Sequence, residues 1–237
     1  MLTCPLLSRL PGITHGFFTR QGGGSEDAFF ALNCGFGAGD KPERGAQNRF
    51  LVARELNVPH ESLLTAYQIH SADAIIVDKP WAQDQAPKAD AMVTQTPGIG
   101  LGILTADCLP ILLADPKKRV VAAAHAGWKG ALAGIIESTL ETMEKLGAKR
   151  ENIVACIGPA IEQFSYEVGG EFRDRFLQQV QTNEKYFSDS SREGHFMFDL
   201  KGYARDRLKA AGIANINVLA SDTCFEENRF FSYRRAC

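Results

Sequence analysis

A chain of 237 residues is long enough to bury one sizeable core or two small ones, and 45% hydrophobic with 23% charged residues is an ordinary globular composition. A net charge of −2 excludes a general electrostatic grip on nucleic acid or an anionic membrane surface. No apolar run approaches the ~20 residues of a membrane span, and residues 1–10 lack a basic region ahead of an apolar one, so the expected compartment is the cytoplasm.

The six cysteines, Cys4, Cys34, Cys108, Cys156, Cys224 and Cys237, form no C-x-x-C pair. In a reducing compartment this argues against a disulfide framework, zinc fingers and iron–sulfur clusters, and most of the six are expected to be small buried hydrophobes. Residues 13–19 read as a strand that runs into Arg20-Gln-Gly-Gly-Gly-Ser-Glu26. That passage is either a loop letting backbone approach a ligand or simply a mobile turn. A second glycine-rich passage covers 33–40. Residues 41–56 turn helical, with Phe50, Leu51, Val52 and Leu56 on one side and Arg49 among the polar positions. Residues 63–77 are extended on both sides of His70-Ser71, 81–88 form an exposed loop, and 89–94 are a short strand. The glycines of 98–104 lie within an apolar strand that no helix follows at once, so a dinucleotide-binding reading fails its context test.

Residues 105–130 organise the chain. Two apolar runs, 111–114 and 120–124, flank Asp115-Pro116-Lys117-Lys118, which is a hairpin signal. With the loop at Pro116-Lys117, Asp115 pairs with Lys118 and Cys108 falls opposite His125; a longer loop slips that register by a residue or so. Either way, a thiol and an imidazole reach the open end of one hairpin. Pro110 belongs at a strand's beginning. Gly127 and Gly130 flank Trp128 and Lys129, and a helical pattern follows through Leu132, Ile135, Ile136, Leu140 and Met143. Beyond it come a strand at 152–157, a helix at 168–179, a polar loop at 182–195, a helix opened by Phe196-Met-Phe-Asp-Leu200 and running to Ala211, and a strand at 216–220. With no internal repeat and no linker, residues 1–237 are read as one domain mixing helices and strands.

Of the five histidines, His60 and His195 are expected at the surface and His15 in a core or rim position. His70 and His125 each end an apolar strand beside small residues. Two chemistries compete for them. Cys108 beside an imidazole is a nucleophile for acyl transfer. Two imidazoles and a thiolate also hold zinc with its fourth position open, which lowers the pKa of bound water toward ~7.

Thr105-Ala-Asp-Cys-Leu-Pro-Ile111, His125-Ala-Gly-Trp-Lys-Gly130, Ile157-Gly-Pro-Ala-Ile161, Asp222-Thr-Cys224 and Phe231-Ser-Tyr-Arg-Arg235 together resemble the YfiH family. Phe17-Phe-Thr-Arg-Gln-Gly-Gly-Gly-Ser25 and Gln68-Ile-His70-Ser fit as well, so the resemblance spans nearly the whole chain. Members are labelled laccase-domain protein, polyphenol oxidase and purine nucleoside phosphorylase. The resemblance implies an α+β fold of two packed mixed sheets flanked by helices, in α/β/β/α layers. It also implies a zinc on His70, Cys108 and His125, phosphorolysis of purine nucleosides (adenosine, inosine, guanosine, methylthioadenosine) and hydrolytic deamination of adenosine. The copper-oxidase label fares worse. Multicopper oxidases gather their metals with His-x-His pairs, and this chain has none among five histidines, although a soft Cys/His site also takes copper adventitiously.

Under the nucleoside reading the partners are a purine nucleoside and phosphate, with no nucleic acid and no membrane. Asp107 is the candidate proton shuttle for deamination, although the usual H-x-E and P-C-x-x-C signature is absent. Arg49, Lys129, Ser232 and Arg234 are candidates to hold phosphate, and Gln68 and Tyr233 to meet the base or sugar. Two readings compete with it: a metal-free hydrolase built on Cys108 and His125, or a cytoplasmic editor of peptidoglycan precursors. A non-catalytic metal-binding protein is a third.

Overall fold

Strands covered on both faces read as unbroken apolar runs, and four such runs build the sheet that carries this protein. In the computed structural model, which describes residues 1–37 and 39–236, these are 91–94, 109–115, 120–126 and 154–157, nearly every position of which is buried. In chain order the elements are α1 (Pro42–Glu55), β1 (Leu63–Leu64), β2 (Ala74–Ile76), β3 (Ala91–Thr94), β4 (Gly100–Leu101), β5 (Leu109–Asp115) and β6 (Val120–Ala126). They continue with α2 (Trp128–Ala133), α3 (Ile135–Lys145), β7 (Val154–Ile157), β8 (Glu167–Gly169), α4 (Gly170–Gln179), β9 (Phe187–Asp189) and β10 (His195–Phe198). Last come α5 (Leu200–Ala210), β11 (Asn215–Val218) and α6 (Tyr233–Ala236).

The main sheet runs β11-β7-β5-β6-β3-β2, antiparallel at its centre and parallel at both outer pairs. A three-stranded antiparallel sheet, β8-β10-β9, and a parallel pair, β1-β4, complete the framework. The fold is thus α+β, as the resemblance implies, with helices against one mixed sheet; the second sheet, expected to be mixed, is wholly antiparallel because its short strands join as neighbours along β10. Alternation along the strands sorts side chains to two faces. Ile111, Leu113, Ala122, Ala124, Ala155 and Ile157 pack with Ile135, Ile136, Leu140 and Met143 of α3, and with Phe176, Phe198 and Tyr203. Leu112, Ala114, Val121, Val154 and Cys156 face the N-terminal segment through Cys4, Leu7 and Phe17. No helix among the described residues is long and apolar enough to cross a membrane.

The central hairpin forms, in a displaced register. Asp115 pairs with Val120 rather than Lys118, so residues 116–119 make a wider loop with Arg119 left-handed at φ 54°. Asp115 holds that loop: its carboxylate accepts from the Lys117 and Lys118 amides and, on the other oxygen, from Lys149 N. The displacement is two residues, which moves Pro110 opposite His125 and leaves Cys108 and His125 on the same face.

Other expectations shift for local reasons. Residues 13–19 form only one bridge, Leu2 to Phe17, and 98–104 contribute only the two residues of β4. The helix after Gly127 breaks into α2 and α3 at Gly134, which sits at φ 100°. The strand β10 occupies the start of the expected 196–211 helix, because Phe196 and Phe198 pack into the ring cluster around Phe172 and Phe176; the helix begins at Leu200, capped by Asp199 on Gly202 N. Within the expected polar loop, β9 pairs with β10, and the helix expected from 168 starts at Gly170 after β8. Cys4 and Cys156 are buried, Cys34, Cys108 and Cys224 half-buried, all five free; Cys237 lies outside the described residues.

Candidate metal centre

His70, Cys108 and His125 converge. Their ligand atoms lie within 4.8 Å of one another, with Cys108 Sγ 3.9 Å from His70 Nε2 and the two imidazoles edge to face at 4.7 Å between centroids. Cys108 immediately precedes β5, and His125 is the penultimate residue of β6. His70 lies between β1 and β2 at φ 59°, and Asp107, just before the thiol, is at φ 88°. Two non-glycine residues in the left-handed region are held against a steric cost, as at many functional sites. His125 is buried, Cys108 half-buried and His70 exposed, so the cluster opens on one side.

The residue that holds the arrangement is Asp90, fully buried at 0% exposure one residue before β3. One of its oxygens accepts from His70 N (3.0 Å) and from His125 Nδ1 (2.8 Å). The other accepts from Ile69 N (3.1 Å), Ser71 N (2.7 Å) and Ser71 Oγ (2.9 Å). One carboxylate therefore fixes the turn that carries His70 and orients the ring of His125. With Nδ1–H donated to Asp90, His125 is left with Nε2 as its ligand atom, the arrangement by which outer carboxylates commonly set metal-ligating histidines. Burial works to raise the Asp90 carboxyl, but the bonds from His125, Ser71 and Ile69 outweigh it and pull it down to about 2.

Gly127 supplies room. A Cβ at this position would stand 2.9 Å from both Cys108 Sγ and His70 Cδ2. Its φ of −67° suits any residue, so glycine is needed here for space rather than for backbone freedom. A tetrahedral zinc would set sulfur and nitrogen about 3.6 Å apart given its usual bond lengths, a few tenths below the 3.9 Å between Cys108 and His70. Burial, the charge of His125 and Lys129 keep the His70 imidazole below its ordinary pKa, as a neutral ligand requires, against the pull of Asp90. Without a cation, burial and the charges of Asp107 and Asp90 push the Cys108 thiol up to about 12. The site fits a soft, thiolate-stabilising cation and is a poor setting for a free thiolate nucleophile.

The remaining residues singled out from sequence divide. Asp107 is engaged three times: Oδ1 accepts from Thr223 Oγ1 (2.7 Å), and Oδ2 from Ser232 Oγ (2.9 Å) and Arg234 N (2.7 Å). It ties Cys108 to the C-terminal segment. Arg234 Nη1 donates to Glu167 O at 2.7 Å. The Gln68 amide brackets the Leu104 backbone, donating to its carbonyl (2.8 Å) and accepting its N–H (2.9 Å). Lys129 is exposed, its Nζ 5.6 Å from the Trp128 ring centroid.

Arg49, Ser232 and Tyr233 line one cavity of about 800 Å³, with Phe17, Phe230 and Phe231 among its apolar walls. None of the three ligand-type residues lines it. The cavity and the cluster instead share one stretch of chain, since Thr105, Ala106 and Pro110 face the cavity while Cys108 faces the histidines. Arg49 donates through Nε to Cys34 O (2.8 Å) and through Nη1 to Gln83, and its guanidinium carbon lies 4.3 Å from the Phe36 centroid. It has no carboxylate partner among the described residues, and burial lowers its pKa. Asp90 is the functional residue missed in sequence; the available signal was an acid inside the apolar run Ala89-Asp90-Ala91-Met92-Val93, where a charge must find partners.

Residues 14–237 match the family described as multi-copper polyphenol oxidoreductase laccase. A Deinococcus radiodurans protein named purine nucleoside phosphorylase is 39% identical over 235 residues, covering 98% of this chain and 87% of its own. A Streptomyces coelicolor protein with that name is 37% identical over 225 residues, 94% of this chain and 90% of its own. The crystal structure of YfiH from Bacillus licheniformis superposes with a TM-score of 0.86 at 34% identity, covering 92% of this chain and 85% of that one.

Proposed function

Because this chain belongs to the family described as multi-copper polyphenol oxidoreductase laccase, and relatives across its length are named for purine nucleoside phosphorolysis, we propose that it is a zinc-dependent purine nucleoside phosphorylase. Residues 1–237 act in this reading as one catalytic domain in the cytoplasm. Adenosine, inosine, guanosine and methylthioadenosine are its substrates, and hydrolytic deamination of adenosine is a second activity. The observation that carries the proposal is the His70–Cys108–His125 cluster, oriented by Asp90 and left open by Gly127.

Zinc held by these three residues supplies a Lewis acid that polarises an oxygen of phosphate or water. The other roles belong to the chain. Arg49, a guanidinium without a carboxylate partner among the described residues, draws phosphate into the cavity, and Lys129 adds positive charge beside His70. Ser232 and Tyr233 line the space for base and sugar, while Gln68 acts through Leu104, which lines it too. Both oxygens of Asp107 are already taken by Thr223, Ser232 and Arg234, so it serves as a positioning residue rather than the proton shuttle expected from sequence.

Five histidines and no His-x-His pair cannot assemble a four-copper oxidase centre, so copper at the cluster is adventitious. The cysteine-hydrolase reading is disfavoured by a thiol pushed up to about 12. Incubation with adenosine or inosine and phosphate is expected to release the free base and ribose 1-phosphate, with inosine also formed from adenosine. Cys108→Ala is expected to abolish both activities and the bound zinc. Absence of phosphate-dependent base release from zinc-loaded protein sinks the proposal; cleavage of a peptidoglycan precursor in its place would move it to cell-wall editing.

A further inference from the structure

The cavity that shares its wall with the cluster is lined by three arginines, Arg20, Arg49 and Arg235, and by no aspartate or glutamate among the described residues. Arg49 is given to phosphate above, which leaves two guanidiniums without a part. Arg20 donates through Nε to Phe30 O (2.7 Å) and through Nη1 to Glu227 O (3.2 Å), and its guanidinium carbon lies 4.5 Å from the Phe231 centroid. Arg235 donates through Nη1 to Thr223 O (3.0 Å) and Cys224 O (2.7 Å), and through Nη2 to Phe230 O (2.7 Å). The two therefore meet adjacent residues, Phe231 and Phe230, of one segment. Arg49 is held instead by Cys34, Phe36 and Gln83, a set that shares no residue with theirs. Neither Arg20 nor Arg235 forms an ion pair with a carboxylate among the described residues. Burial and the charge of Arg235 lower the Arg20 pKa, against the pull of the exposed Glu227.

Carbonyl acceptors fix a guanidinium in place without neutralising it, and donors remain. Nη2 of Arg20 and Nε of Arg235 have no partner among the described residues, and neither is a sealed-off polar atom, so both open onto space that a ligand can fill. Two neighbouring forks of this kind in a cavity without an acid attract a dianion. Ser232 and Tyr233, which line the space for base and sugar, stand in sequence between Phe231 and Arg235, so the pair borders that space. We propose that Arg20 and Arg235 form a second anion position, at which the chain binds purine nucleoside 5′-monophosphates with the 5′-phosphate on the two guanidiniums. The placing of base and sugar here rests on the phosphorylase reading. Nucleotide and inorganic phosphate occupy the cavity together, because Arg49 has partners of its own and takes the second anion.

Calorimetric titration of the zinc-loaded protein, without and with saturating inorganic phosphate, reads the position directly. In both conditions inosine 5′-monophosphate is expected to bind about 10- to 100-fold more tightly than inosine, the range for hydrogen bonds to charged groups. Arg20→Gln is expected to remove about tenfold of that gain, with inosine affinity and bound zinc unchanged. A nucleotide that binds no more tightly than inosine overturns the assignment. So does a gain that vanishes once phosphate is added, which would put the 5′-phosphate on Arg49, or a gain that Arg20→Gln leaves intact. If Arg20→Gln does not fold, the parent decides: the gain is expected to shrink as ionic strength rises, and a gain equal at low and high salt overturns the assignment. A protein that shows this gain yet releases no base from inosine overturns the phosphorylase reading and keeps the anion position. Base release from inosine without any gain from the 5′-phosphate overturns the anion position alone.

Discussion

Asp90→Asn tests the architecture of the site most directly. The carboxylate accepts five hydrogen bonds, from His70 N and His125 Nδ1 on one oxygen and from Ile69 N, Ser71 N and Ser71 Oγ on the other. An asparagine presents one oxygen and one NH2 group, so either orientation points donors at donors on one side. Two or three buried donors are stranded, at about 1–3 kcal/mol each, so unfolding free energy should fall by about 3–6 kcal/mol. That is a large share of the roughly 5–15 kcal/mol by which folded proteins exceed their unfolded chains. Losing the partner that orients a metal-ligating histidine should also weaken zinc about 10- to 100-fold. Urea titration of the metal-free protein reads the first effect, and competition with a chromophoric chelator reads the second. A variant that keeps zinc affinity within about twofold and loses less than about 1 kcal/mol would refute the role given to Asp90.

Gly127→Ala adds a single carbon 2.9 Å from Cys108 Sγ and His70 Cδ2 at an unstrained φ. Zinc stoichiometry by elemental analysis should drop well below the parent's while the metal-free melting temperature moves by no more than about 2 °C. Arg49→Lys replaces a planar fork by a point charge, so the KM for phosphate should rise about tenfold, with the KM for nucleoside far less affected in steady-state assays. Asp206 is held low, to about 2, by the Lys185 ammonium (2.9 Å) and the Tyr186 hydroxyl (3.0 Å). Its folded-state pKa lies below the ordinary carboxylate value, so its stabilisation is complete above about pH 4 and is lost as pH falls toward about 2. Asp206→Asn should therefore flatten the acid limb of a stability–pH curve, by at most about 1 kcal/mol because the ion pair is solvated.

Cys108, His125 and His70 were legible in sequence because the two histidines each end an apolar run beside small residues and Cys108 stands at the head of another, and the hairpin brought two of them together through its alternation alone. The register was not legible, since the Asx-type bonds of Asp115 widened the turn. A displacement of two residues did no harm to the site because it preserved the face. Asp90 escaped notice inside a strand pattern because its partners come from segments some 20 and 35 positions away. The three-stranded sheet was missed for a different reason. Phe196 and Phe198 carry the alternation of a strand, but the helical period of the residues after them was extended backward over both, and only the packing of Phe198 against Phe172 and Phe176, with the Arg173 guanidinium over Phe196, settles the matter.

The bonds of Asp107 to Thr223, Ser232 and Arg234 close loops of 116, 125 and 127 residues. The cation cradle, by contrast, is organised by pairings no more than 55 residues apart, His70 to His125 being the longest. Such long loops carry the larger entropic toll and form late. The molecule should accordingly mature in two stages, with the His70–Cys108–His125 cluster assembling in a partly folded chain and the neighbouring cavity shutting only when the C-terminal segment docks.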